Sequence, residues 1–99
     1  MKIKLVYLKT GEYVVTTLYQ VTEGEDKSLL CYVFDNPKSV LTNSDWNNEA
    51  NSQLTVQAAL ISWPAFTKDK RIEVFPDNVV AVVEPSDELI KLYEESINE

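Results

Sequence analysis

Apolar and polar positions alternate from the second residue onward. Lys2 and Lys4 face outward while Ile3 and Leu5 face inward, and from Val6 to Leu8 both faces become apolar. That pattern predicts a strand, over about residues 2–9, covered in part on its second face. Thr10-Gly11 follows as a tight-turn signal, because glycine accepts positive φ without cost. Residues 12–22 are rich in Val, Thr and Tyr, side chains suited to a pleated surface. Tyr13, Val15, Thr17, Tyr19 and Val21 share one face and Val14, Thr16 and Leu18 the other, so the first two strands form a hairpin.

After the polar turn Thr22–Lys27, a third strand is predicted over 27–41. Its centre is Leu29-Leu30-Cys31-Tyr32-Val33-Phe34, and Asp35-Asn36-Pro37 interrupts it. Residues 42–53 lack any helical apolar face and read as an exposed loop, with Trp46 expected to fold back onto the body. A fourth strand is expected over 54–66. Ala58-Ala59-Leu60 favours a helix, but Trp63, Pro64, Phe66 and the β-branched neighbours argue for a strand. The last β region, 71–84, carries Pro76-Asp77-Asn78 as a break between two strongly β-prone runs. Ser86 is a good N-cap for a helix over 86–96, with Asp87 and Glu88 suited to its dipole. Leu89, Leu92, Tyr93 and Ile97 fall at helical spacing, a stripe expected to cover the open end of a small barrel.

Five or six short strands, tight turns and one terminal helix in 99 residues predict a single mainly β domain. Helical crossovers are missing, which disfavours a parallel sheet. The expected fold is a small, strongly bent five-stranded SH3-like barrel with a C-terminal α-helix. The break at Pro76-Asp77-Asn78 stands where such a barrel has a short helical turn between its last two strands.

Charge changes this picture only locally. The chain carries a net charge of −7, all of it in residues 43–99; residues 84–99 alone hold six carboxylates against Lys91. A broad polyanion-binding surface is therefore not expected. The densest basic spot is Lys68, Lys70 and Arg71, just after Trp63 and Phe66. Exposed aromatics beside cations stack and neutralise single-stranded nucleic acid, so Trp63, Phe66, Lys68, Lys70 and Arg71 form a candidate nucleic-acid or partner patch. The competing account places the aromatics in the core and at a subunit interface, where Tyr and Trp are also enriched.

Other chemistry is sparse. Histidine is absent, and with it the commonest general base and metal ligand. The carboxylate runs Glu23/Glu25/Asp26, Asp87/Glu88 and Glu94/Glu95 fall on turns and a wet helix face. The first lacks the ligand number of a calcium loop. Cys31 sits in an apolar run and reads as a buried, inert thiol. No catalytic residue, metal, cofactor or small-molecule substrate is expected. No apolar run is long enough for a membrane span, and no signal-peptide block opens the chain.

Three segments carry a family resemblance. Lys4-Leu5-Val6-Tyr7-Leu8-Lys9-Thr10-Gly11-Glu12 is similar to the opening strand and glycine turn of Sm-like (LSm-like) proteins. Val33-Phe34-Asp35-Asn36-Pro37 resembles the strand ending in Asn-Pro of the small Sm-like proteins of T-even-type phages and their marine relatives. Val74-Phe75-Pro76-Asp77-Asn78-Val79-Val80-Ala81-Val82, with Glu84-Pro85, resembles the final bent strand pair. The resemblance implies an Sm-like barrel that forms a homo-oligomeric ring. With one thiol suited to a reducing compartment, it also implies a cytoplasmic location, that of the host for a phage-encoded chain. Two features depart from the family. The helix follows the barrel instead of preceding it, and neither Glu23-Gly24-Glu25-Asp26 nor Pro76-Asp77-Asn78 supplies the family's RNA-binding pattern. Single-stranded RNA is thus a candidate partner only through the aromatic and basic patch.

Overall fold

A computed structural model describes residues 2–42 and 58–98. Six antiparallel strands form one sheet: β1 (Ile3–Leu8), β2 (Tyr13–Glu23), β3 (Ser28–Thr42), β4 (Ala58–Ser62), β5 (Arg71–Val74) and β6 (Val79–Val83). A 3-10 turn over Pro76–Asn78 joins β5 to β6, and helix α1 spans Asp87–Ile97. The strand order is β4-β3-β2-β1-β6, with β5 also paired to β3. No helix among the described residues is long and apolar enough to cross a membrane.

Two expectations about the strands need correcting. Of the expected fourth strand, 54–66, residues 54–57 lie outside the described residues, Ala58–Ser62 form the strand, and residues 63–66 turn away as bend and turn. The expected β region 71–84 divides at its expected break, because Pro76 lacks an N–H and starts a 3-10 turn. Its first part pairs with β3 and its second with β1, which makes six strands instead of the five of the expected barrel. The expected loop 42–53 and Trp46 lie outside the described residues, apart from Thr42 at the end of β3.

Neighbouring residues on a strand point to opposite faces, and here both faces are covered. On one face Val6, Leu8, Val14, Leu18, Phe34 and Val74 are buried together, with Tyr32, Trp63, Ile72 and Val79 packed around them. On the other, Val15 packs with Leu89 and Tyr93 of α1, flanked by Ile3, Leu5, Val40, Leu60 and Ile97. The helix thus lies flat on a sheet face and does not plug an open end. The correction has a simple cause. Ile3, Leu5 and Val15 point to the second face and need cover, and the apolar stripe of α1 meets them there. Ser86 caps α1 as expected, its hydroxyl accepting from the Leu89 N–H at 3.2 Å.

Strand β3 bends at its middle. Val15 pairs with Lys38 and Thr17 with Asp35, so three steps on β3 match two on β2. The additional residue is absorbed at Asn36-Pro37, where Asn36 has a φ of 52°. Pro37 interrupts the ladder without ending the strand. Beyond the bend, Lys38–Thr42 pair with β4, and before it Tyr32–Asp35 pair with β5. One edge of one strand therefore serves two partners.

The bulge leaves the Thr17 N–H without a ladder carbonyl, and Tyr93 of α1 fills the gap. Its hydroxyl accepts from the Thr17 N–H at 3.0 Å, meets the Thr17 hydroxyl at 3.1 Å and donates to the Asp35 carbonyl at 2.8 Å. The Thr16 hydroxyl donates to the same carbonyl at 3.0 Å. Tyr93 has no exposed surface. Burial pushes its hydroxyl above the ordinary tyrosine pKa, partly offset by its hydrogen bonds to Thr17, so it stays neutral.

Candidate functional site

Three residues of the expected patch, Trp63, Lys68 and Lys70, line one cleft, and Phe66 and Arg71 lie outside its lining. Trp63 turns inward, its ring centroid 5.8 Å from that of Phe34, and its Nε1–H donates to Glu12 Oε1 at 3.4 Å. Arg71, at the start of β5, is held from two sides. Its guanidinium lies 3.5 Å from Asp35 Oδ2 and 5.3 Å above the ring centre of Tyr19. Phe66 is fully exposed on a left-handed backbone with φ 69°, a conformation a bulky side chain rarely adopts. Lys68 and Lys70 are exposed on the same loop. Of the two aromatics, only Phe66 faces solvent in full.

The two lysines join a residue that sequence reasoning missed. A cleft of about 250 Å³ lies between the bulge of β3 and the loop before β5; Lys38, Trp63, Lys68, Asp69 and Lys70 line it, with Asn36 and Pro37 forming its bulge side. Two backbone hydrogen bonds brace its walls: the Asn36 N–H donates to the Lys70 carbonyl at 2.7 Å, and the Trp63 N–H to the Pro37 carbonyl at 3.1 Å. Asn-Pro inside a β-prone run was the available signal. It marks an irregularity in β3, but not what the irregularity faces.

A second feature is the pair of strands around the 3-10 turn. Among the described residues, β5 pairs only with β3 and β6 only with β1, so each keeps one unpaired edge. Exposed apolar side chains sit beside these edges: Phe75 is 68% exposed and Val80 66%, with Val82 and Val83 more than a third exposed. Val80 is the additional residue where the β1–β6 register shifts between Tyr7 and Leu8. The edges differ in charge along their length. Lys70 and Arg71 open β5 and Phe75 follows it, whereas Val79 and Val80 open β6 and Glu84 follows it. Glu84 accepts from Lys4 Nζ at 2.6 and 2.9 Å in an exposed ion pair.

The remaining candidates stand alone. Cys31 is a free thiol, half-buried instead of buried as expected, since its part of β3 extends past the core. Among the described residues, no three metal-ligating side chains converge. The Glu23–Asp26 carboxylates occupy an exposed turn, where Asp26 Oδ2 accepts from the Ser28 hydroxyl at 2.9 Å.

A search among curated proteins finds no match to this chain. A family model matches residues 1–98, nearly the whole length, so the chain belongs to DUF6561, a family of unknown function.

Proposed function

We propose that this protein is a non-enzymatic interaction module: a strongly bent SH3-like barrel of the Sm-like kind whose copies join edge to edge into a homo-oligomeric ring. The observation that carries this reading is the pair of edges on β5 and β6 that no strand among the described residues pairs. An unpaired edge is a template for another strand, and two different edges on one chain make a heterologous contact that can close into a ring. The barrel is supported by β6 lying on β1 and β5 on β3, with only the 3-10 turn between them, and β4 is then an addition to a five-stranded core. Charge favours one polarity. Antiparallel pairing of β5 with the β6 of a second copy brings Lys70 and Arg71 towards Glu84, and Phe75 towards Val79 and Val80. Parallel pairing would set Phe75 against the carboxylate and Arg71 against valines.

Size-exclusion chromatography with light scattering tests the reading. A multimer is expected at tens of micromolar, and Phe75→Glu, which places a carboxylate in the apolar half of the contact, is expected to yield a folded monomer. A wild-type monomer under those conditions overturns the proposal. Single-stranded RNA binding through Trp63, Phe66, Lys68, Lys70 and Arg71 ranks second, because Trp63 and Arg71 are engaged within the fold. Phe66 beside two exposed lysines supports it, and titration with labelled poly-U and poly-A at low salt tests it.

A further inference from the structure

We infer that the cleft between the β3 bulge and the loop 62–70 is a binding site for phosphate groups, with Lys38, Lys68 and Lys70 as its ligating side chains. Neither strand pairing nor RNA recognition by base stacking is needed for this site.

The first reason is electrostatic. A chain of net charge −7 places three of its nine cations around one concavity. Among the described residues, none of the three forms an ion pair; the ion pairs there are Lys4 with Glu84 and Arg71 with Asp35. Among the described residues, the one carboxylate in the lining is Asp69, whose backbone N–H is turned to the Thr67 hydroxyl at 3.1 Å. One carboxylate against three ammoniums leaves the cleft positive, and a concave wall concentrates that potential.

The second reason is rigidity. Lysines on a free loop spread apart in solution. Here Lys38 follows the bulge in β3, and Lys70 is fastened to that bulge through the bond from the Asn36 N–H. The opposite wall is tied by the bond from the Trp63 N–H to the Pro37 carbonyl, and Trp63 is anchored against Phe34. The two sides of the cleft are thus set before any ligand arrives, which lowers the ordering cost of binding.

The third reason concerns the class of ligand. The indole of Trp63 packs against Phe34 and its N–H is directed to Glu12, which disfavours recognition of a base. Lysine ammoniums recognise phosphate as point charges without a planar requirement. The cleft therefore suits a phosphate or pyrophosphate moiety, whether of a small phosphorylated molecule or of a nucleic-acid backbone.

Inorganic pyrophosphate titrated into the full chain, followed by amide NMR shifts, is the test. Saturable shifts confined to residues 36–38 and 62–70 are expected at low salt. The variant Lys38→Gln/Lys70→Gln should weaken binding by about tenfold or more, the loss of at least one charge-assisted contact. Compared at about 0.1 M salt, where the Debye length is about 10 Å, Lys2→Gln/Lys27→Gln removes the same charge away from the cleft and should change the affinity by less than about twofold. A uridine oligonucleotide separates the sources. If pyrophosphate displaces it from the same amides, the phosphates recognised belong to a strand; if it does not bind there, they belong to a small molecule. Absence of saturation at low salt, shifts lying elsewhere, or equal losses in the two double variants would overturn the inference.

Discussion

Tyr93→Phe isolates a single hydroxyl that holds the bend of β3 to α1. The ring remains, so the packing with Val15 and Leu89 is kept, and only the hydrogen bonds change. The Asp35 carbonyl keeps the Thr16 hydroxyl at 3.0 Å and stays satisfied. The Thr17 N–H does not, because the register shift has removed its ladder partner and the residue is 5% exposed. An orphaned buried donor costs about 1–3 kcal/mol, a large part of the ~5–15 kcal/mol that keeps a domain folded. For a chain of this size each kcal/mol corresponds to roughly 4–8 °C in Tm. Urea unfolding at one fixed protein concentration, followed by circular dichroism, measures the loss. The midpoint should fall while the slope stays constant, since the surface exposed on unfolding is the same. Thr17→Val and the double variant complete a cycle, and a coupling above ~0.5 kcal/mol between the two side chains is expected for groups in direct contact. A Tyr93→Phe variant within ~0.5 kcal/mol of the wild type would refute the role given to this hydroxyl, because the spread of ordinary surface substitutions is that large.

The same residue sets an alkaline limit. Its pKa is raised in the folded chain, so its contribution is complete below the unfolded tyrosine value of about 10 and is lost as pH climbs through the higher folded value. Stability measured against pH should fall above that point in the wild type and fall less in Tyr93→Phe. Ser86→Ala removes the side-chain acceptor of the Leu89 N–H and should cost about 1 kcal/mol in denaturant unfolding. Gly11→Ala meets no neighbouring atom, yet at φ +94° the methyl group strains the turn between β1 and β2, and a loss of about 1 kcal/mol is expected in the same measurement.

Where the pattern was local, the chain was legible. Alternation in β1 and β2 around Gly11 gives their antiparallel register from Ile3 opposite Thr17 to Tyr7 opposite Tyr13, and Ser86 marks the start of α1. Where a distant partner decides, it was not. Asn36-Pro37 reads as an interruption, and only the opposing Thr16 and the helix-borne Tyr93, fifty-eight residues beyond Asp35, turn it into a bulge within one strand. The stripe Leu89–Tyr93 required cover, but which face supplied it depended on Val15, Val40 and Leu60 coming together. Proximity of Trp63 to Lys68 suggested a shared surface. The ring packs on Phe34 while still lining the cleft, and Lys38, thirty residues before Lys68, joins the loop cations there.

Asp35 gives the molecule a mechanical consequence. Its carbonyl receives the helix through Tyr93, its carboxylate grips Arg71 at the head of β5, and the next residue bonds to Lys70. Helix α1 and the lysine-lined wall thus share one polar anchor beside the apolar packing of the helix, so a displacement of Asp35 moves the supports of both.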